Sequence, residues 1–348
     1  MRVVKYIMDG FLKRRSGLAL EAVEQFLGKS SGEKKGVIKK ERKEKGVTIT
    51  SVEILDGYGE EIGKTPGRYV SIDTAELGLD TSDKLEMVRK VFSDELSKML
   101  SYKKIKDNGT CLVVGLGNEH ITPDALGPLT LNNVIVTRHL YEIGEIGEAG
   151  KKDDFREVSA LSPGVMGLTG IETYDIIESV VKKVKPDFLI VVDALAARAV
   201  ARVNRMIQMT DTGISPGSGV GNRRRAIDEK SLGIPVIAIG IPTVVDAVSI
   251  ANDMIDLLLK HITYNVNQEK KGKDEEERLD EKIRRDFLGR VGVLSQEEKR
   301  QLLIEVLTPI GENLIVTPKT IDSEVEDLSR LISNALNVAL HPNIEFSA

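Results

Sequence analysis

Two carboxylates carry the chemistry this sequence can do. Asp193 ends the apolar run FLIVVD (residues 188–193). Asp124 lies in GLGNEHITPDALGP (residues 115–128), the stretch that leaves another apolar run, CLVVG (residues 111–115). In an open α/β sheet, ligands bind beyond the carboxyl ends of the strands, where loops are free of ladder pairing. If the two runs are neighbouring strands, both side chains converge on one crevice. Two carboxylates a few ångströms apart in a partly dry cleft share one proton, because both cannot stay charged. The charged member can then take a proton from water while the protonated member gives one to a departing amine, which is the chemistry of amide hydrolysis. Taken singly, each residue has a plainer role. Asp124 follows Pro123 and suits the first turn of a helix, and Asp193 follows five apolar residues, so a structural carboxylate there would need buried donors. Convergence of the pair is what points to catalysis.

Other constellations are weaker. GLGN after a strand resembles a dinucleotide-binding turn, but the third glycine position of G-x-G-x-x-G is His120. No Walker A, G-x-S-x-G or H-E-x-x-H sequence occurs. The four histidines (His120, His139, His261, His341) are scattered. A metal cluster of His120, Asp124 and Asp193 lacks the usual ligand spacing, so neither a metal nor an organic cofactor is expected. Cys111 opens a buried strand and reads as an inert core residue. Ser218, in TDTGISPGSGVGN (residues 210–222), has no adjacent His; that stretch reads as a Gly-rich substrate-binding flap.

The elements that must position the pair follow from periodicity. CLVVG, FLIVVD and PVIAIG (residues 235–240) are continuous apolar runs, as in strands covered on both faces. Residues 171–185 and 246–262 space their apolar side chains as helices do, and Thr81 and Ser82 can cap a further helix ending near Leu100. Two more helices start at Ser295 and Asp322, flanking a strand at residues 313–316. Strands alternating with helices predict an α/β fold, a doubly wound, mostly parallel sheet flanked by helices, with N-terminal and C-terminal additions. The basic run of residues 29–45 reads as a solvated hairpin or insertion, and the charged run of residues 269–286 as a solvated connection.

Composition narrows the setting. Forty-nine Lys and Arg against 54 Asp and Glu leave a formal charge of −5, which argues against wholesale nucleic-acid binding. The longest uncharged apolar stretch, residues 234–245, is too short for a membrane helix. One cysteine in 348 residues fits a reducing, cytoplasmic compartment.

Five motifs in order, GLGNEHITPDALGP, SALSPGVMGLTGIET (residues 159–173), DALAAR (residues 193–198), TDTGISPGSGVGN and GIPVIAIGIPTVVDA (residues 233–247), resemble the germination proteases of spore-forming bacteria. The resemblance runs from about residue 111 to 255 and returns more weakly at both ends of the chain. It implies an atypical aspartic endopeptidase, made as an inactive tetrameric zymogen, that degrades small acid-soluble spore proteins in the spore core during germination. It also implies a fold similar to that of the hydrogenase-maturation proteases, with the two catalytic aspartates at Asp124 and Asp193. On this view residues 1–17 form a prosegment, 18–108 an N-terminal extension with a charged insertion, and 109–348 the catalytic domain, including a charged insertion at 265–290 and the C-terminal helices. Family members cut after an acidic residue followed by an apolar-Ala-x-Glu pattern. RRSGLALEA (residues 14–22) places Leu18, Ala19, Leu20 and Glu21 in register but Gly17 before the scissile bond, so processing at Gly17–Leu18 is expected to be slow, shifted or done by another protease. An acidic substrate preference implies cations near the pair, and Arg198, Arg202 and Arg223, within the run Arg223 to Arg225, are the candidates. Two alternatives stand beside this reading: a metal-dependent maturation peptidase using the same carboxylates, and a non-catalytic spore DNA-coat binding module using the basic segment at 29–45.

Overall fold

The apolar runs become the middle of a sheet. In the computed structural model the described residues are 18–27, 36–77, 81–144, 155–216, 224–267, 285–286, 288–307 and 314–341. They fall into two compact units. The larger comprises Arg15–Ala197, Ala201–Val244 and Thr317–Ala348, and the smaller is built mainly of Val245–Val316 with Arg198–Val200.

The larger unit contains strands β1 (Val37–Glu44), β2 (Val47–Ile54), β3 (Gly67–Asp73), β4 (Cys111–Gly115), β5 (Val158–Leu161), β6 (Phe188–Ala197), β7 (Met206–Thr210) and most of β8 (Val236–Asp246). Their spatial order is β1-β2-β3-β7-β8-β6-β4-β5. CLVVG is buried at all five positions and its side chains alternate between two cores. Cys111 and Val113 join the core that contains Phe92 and Leu96 of one helix (α2, Ser82–Tyr102) and Val325, Ile332 and Leu336 of another (α7, Ile321–Leu340). Leu112 and Val114 face the opposite core with Tyr174, Ile177 and Val181 of α4 (Thr173–Val184). Burial on both faces explains why these strands read as unbroken apolar runs rather than as alternation.

The α/β expectation with flanking helices holds, but the sheet is mixed rather than mostly parallel. Only β4 pairs in parallel on both sides, with β5 and β6. The β1–β2, β2–β3, β3–β7 and β7–β8 ladders are antiparallel. The difference comes from the charged N-terminal third, which supplies a meander instead of a crossover. β1 and β2 are joined by Lys45-Gly46, both at positive φ (49° and 81°), a two-residue turn whose twist suits a hairpin. β1 is the solvated hairpin strand, with six consecutive exposed positions, whereas β2 alternates and buries Val47, Ile49, Val52 and Ile54.

Helix α2 matches its expected stripe, with Val88, Phe92, Leu96 and Leu100 buried, although Thr81 makes no side-chain capping bond. Two strands outrun their sequence limits: β6 continues four residues past Asp193, and β8 runs on to Asp246. In the smaller unit, α5 (Ala247–Asn267) and α6 (Gln296–Leu307) pack together, tied by Lys299 Nζ to Asp256 Oδ1 at 2.7 Å. There β9 (Ile315–Val316) pairs with the last two residues of β8.

Candidate active site

β4 stops at Gly115, and its partner there on β6 is Val192, so Asp193 is the first residue of β6 beyond the β4 ladder. Leu116 N–H donates to Val192 O at 2.8 Å, carrying the next turn of chain against β6. The chain then bends at Gly117 (φ +120°), where a Cβ would collide with the backbone oxygen of Asp124. This close approach needs a residue without a side chain. After the bend, residues 118–125 fold back over the end of the strand. Asn118 Oδ1 accepts from His120 N–H at 3.0 Å, Asp124 N–H donates to Ile121 O at 2.7 Å, and Thr122–Asp124 form a single 3-10 turn. Buried Thr243 of β8 holds the turn from the other side, its hydroxyl donating to Pro123 O at 2.5 Å.

The short helix α3 (Leu126–Leu131) fixes the height of this turn above the sheet. A Cβ on Gly127 would meet Leu116 O, and it would lie 2.5 Å from Leu116 N and 2.6 Å from Val192 O. Gly115 faces the backbone of Gly127 in turn, its own notional Cβ 2.5 Å from Gly127 C. Helix backbone therefore rests directly on strand backbone, one residue before Asp193. This contact holds the turn that carries Asp124 at the end of β4, beside the point where Asp193 leaves the β4–β6 ladder.

Asp193 is 7% exposed, and Ala194 N–H donates to its Oδ1 at 3.0 Å. Burial, and next the charge of Asp124, push its pKa up to about 8, against the opposing pull of Ala194 N–H and the Arg224 guanidinium. Asp124 is half-buried and accepts from Asn118 N–H at 2.8 Å. Its pKa is also raised by burial, with Asn118 N–H and Arg224 opposing. The two groups titrate as a pair in which the first proton leaves more easily than the second. The better-hydrated carboxyl with the stronger backbone donor, Asp124, carries the charge, and Asp193 keeps the proton.

The other sequence candidates have the following surroundings. Arg202 is engaged with helix α1 (Ala19–Leu27), its guanidinium 2.6 Å from Glu24 Oε2 and 3.5 Å from Glu21 Oε1. Arg198 belongs to the smaller unit. Arg223 and Gly17 lie outside the described residues, as do the prosegment at 1–17 and most of the charged run at 269–286. Leu18 is fully buried, and the next residue, Ala19, donates its N–H to Gln208 Oε1 at 2.5 Å. His120 is exposed, 3.7 Å from Glu119. Among the described residues no three His, Cys, Asp or Glu side chains group as metal ligands would. Burial pushes the Cys111 thiol well above its usual range, as expected for an inert core cysteine. Two contributors escaped the sequence, Asn118 and Thr243, whereas Arg224 belongs to the candidate run Arg223 to Arg225. Thr243 could have been found, because it lies in GIPVIAIGIPTVVDA. Nothing in the Arg223 to Arg225 run says which of its cations faces the pair.

No helix among the described residues is long and apolar enough to cross a membrane. The sequence profile of the germination protease family matches residues 17–348. The chain is 47% identical to the germination protease of Bacillus mycoides (strain KBAB4) over 350 residues, covering 95% of this chain and 94% of that protein. It is 48% identical over 348 residues to that of Bacillus velezensis (strain DSM 23117 / BGSC 10A6 / LMG 26770 / FZB42) and 47% identical over 352 to that of Priestia megaterium (strain ATCC 12872 / QMB1551), with the same coverage in both cases. These matches extend over the charged N-terminal third and the C-terminal helices, where the motifs alone carried little. With the family profile matched over nearly the whole chain and relatives 47–48% identical along it, the chain belongs to the germination protease family.

Proposed function

We propose that the protein is an aspartic-type endopeptidase that hydrolyses small acid-soluble spore proteins in the spore core, with Asp124 and Asp193 as its catalytic pair. The observation that carries this reading is geometric: Asp193 follows the last β4–β6 pair, and the turn that holds Asp124 is packed backbone to backbone on that same strand end, where burial raises the pKa of both carboxyls, that of Asp193 to about 8. In the reaction, charged Asp124 accepts a proton from water as the water oxygen bonds to the peptide carbonyl carbon. Asp193 gives its proton to the substrate as the carbon–nitrogen bond breaks, so the amine leaves neutral and one proton is again left on the pair. Apart from positioning, this needs no further group.

The remaining family features belong to the same proposal. The fold is taken to be the doubly wound one of the hydrogenase-maturation proteases, supported by the parallel β5-β4-β6 segment with helices on both faces. Residues 1–17 are taken as a prosegment, 18–108 as an N-terminal extension and 109–348 as the catalytic domain. Because Gly17 replaces the acidic residue expected before the cut, processing at Gly17–Leu18 is taken to be slow, shifted or done by another protease. A homotetramer is carried over from the family resemblance alone.

The test is cleavage of a purified small acid-soluble spore protein by Asp124→Asn and Asp193→Asn. Each variant should fold and lose at least about a thousandfold in kcat/KM, the scale seen when a positioned acid or base is removed. Near-normal turnover in either variant refutes the assignment.

A further inference from the structure

The turn that carries Asp124 begins with an asparagine whose side chain is only half used. Asn118 follows the bend at Gly117, and its backbone N–H donates to Asp124 Oδ2 at 2.8 Å. Its side-chain Oδ1 accepts from His120 N–H at 3.0 Å, an Asx turn that fixes the plane of the carboxamide. A backbone N–H can only donate, so the branch facing His120 is the oxygen and the other branch is the Nδ2 amino group. Asn118 is 9% exposed, and among the described residues Nδ2 has no hydrogen-bond partner. The buried side-chain atoms that lack a hydrogen bond belong to Glu172, Arg202, Asn204 and Asn252. Asn118 Nδ2 is not one of them, so the small surface that Asn118 shows to solvent includes this donor.

An Asx turn asks only for an acceptor, which Asp, Ser or Thr would also supply. Asparagine adds N–H donors and no charge. Those donors sit on the residue whose main chain grips Asp124, so covalent structure holds them beside that carboxyl. Asp124 Oδ1 has no partner among the described residues and is left for water. A water held there attacks a carbonyl carbon about 3–3.5 Å away, which brings the carbonyl oxygen within range of the Asn118 side chain. The pair accounts for the protons of the reaction but not for the charge that builds on this oxygen. As water adds, Asp124 takes a proton and the carbonyl π electrons move onto oxygen. They return when the carbon–nitrogen bond breaks and Asp193 protonates the nitrogen. In between, the oxygen is negative, and neutral N–H groups already in place are what stabilise it.

We infer that the side-chain amide of Asn118 is a further catalytic group, whose Nδ2 donates to the carbonyl oxygen of the scissile peptide as that oxygen becomes negative. This rests on the proposed catalytic pair and adds the group that stabilises the intermediate. The turn is pinned by Thr243 at Pro123 O and by the close approach of Gly117 to Asp124, so the donor reorganises little as the charge forms.

The test compares the parent chain with Asn118→Ser, which keeps an acceptor for His120 N–H and removes the amide donor. Substrates are a purified small acid-soluble spore protein and a synthetic peptide spanning one of its cleaved bonds, made with an amide or a thioamide at that bond. Asn118→Ser should lower kcat by about 10²–10³ at every pH of the profile, with KM and melting temperature close to parental. A thioamide sulfur accepts hydrogen bonds weakly, so the parent's preference for amide over thioamide should shrink markedly in the variant. This ratio is internal to each enzyme. A loosened turn slows both peptides alike, so the ratio reports the contact even if the substitution costs stability. Three results overturn the inference: a kcat close to parental, a loss that appears only as a shift of the acid limb, or an unchanged amide-to-thioamide ratio. Asp193→Asn, assayed alongside, separates the two levels. If it is inactive and Asn118→Ser is parental, only the role of Asn118 fails; if it is active, the catalytic pair itself is wrong.

Discussion

Replacing Asp193 by Asn should do more than stop cleavage; it should stabilise the fold in a way that depends on pH. Asp193 is 7% exposed, and burial with the neighbouring charge of Asp124 lifts its pKa from 3.8 to about 8. Because the folded value lies above the unfolded one, the protonated carboxyl favours the fold. That contribution is complete below about pH 4 and is lost as the pH rises toward 8. At pH 7 the unfolded chain has ionised over about three units that the folded chain resists, and at about 1.4 kcal/mol per unit this amounts to about 4 kcal/mol. An amide is neutral throughout, and its oxygen can still accept from Ala194 N–H. Urea unfolding of the parent chain and Asp193→Asn should therefore give similar stabilities at pH 4, with the variant more stable by about 2–4 kcal/mol at pH 7. The lower end applies if the parent relaxes by shifting its proton to Asp124. A difference that is the same at both pH values, or a variant less stable at pH 7, would show that Asp193 is not the buried, proton-holding group described above.

Two further substitutions probe what holds the pair. Thr243→Val removes the donor to the part-buried Pro123 O, so it should cost about 0.5–1.5 kcal/mol in urea unfolding and lower kcat/KM by displacing Asp124. Gly127→Ala places a methyl group against the backbone of Leu116 and Val192, which cannot yield as a side chain can. A loss of about 3 kcal/mol or more is expected, read as a lowered melting temperature or failure to accumulate as folded protein.

What the sequence could and could not reveal follows from burial. β4, β6 and β8 were legible because both their faces are covered, so every position is apolar. β7 escaped notice because Gln208 interrupts MIQMT, and its amide is used to receive Ala19 N–H, a partner nearly two hundred residues away. β5 has only four residues, too few for a pattern. β1 is legible as a hairpin arm but not as a sheet member, since its six consecutive exposed positions show only charge. The limits of β6 were misjudged for a different reason. Asp193 resembles a terminus because β4 stops beside it, yet the strand runs on next to β8, where Leu195 covers Gly240. At the candidate site, both aspartates could be named from their surroundings in sequence. Their hydrogen-bond donors could not, because Asn118 contributes a backbone N–H and Ala194 another, and backbone groups leave no mark on residue type.

Where Gly115 and Gly127 meet, the spacing of the two acidic side chains is set by hard repulsion between main-chain atoms rather than by the softer attraction of packed hydrocarbon. A mechanical stop of this kind has almost no slack. Damage to a distant core residue such as Phe92 should leave fewer molecules intact without changing how fast each intact molecule turns over, so in this architecture yield and turnover can vary independently.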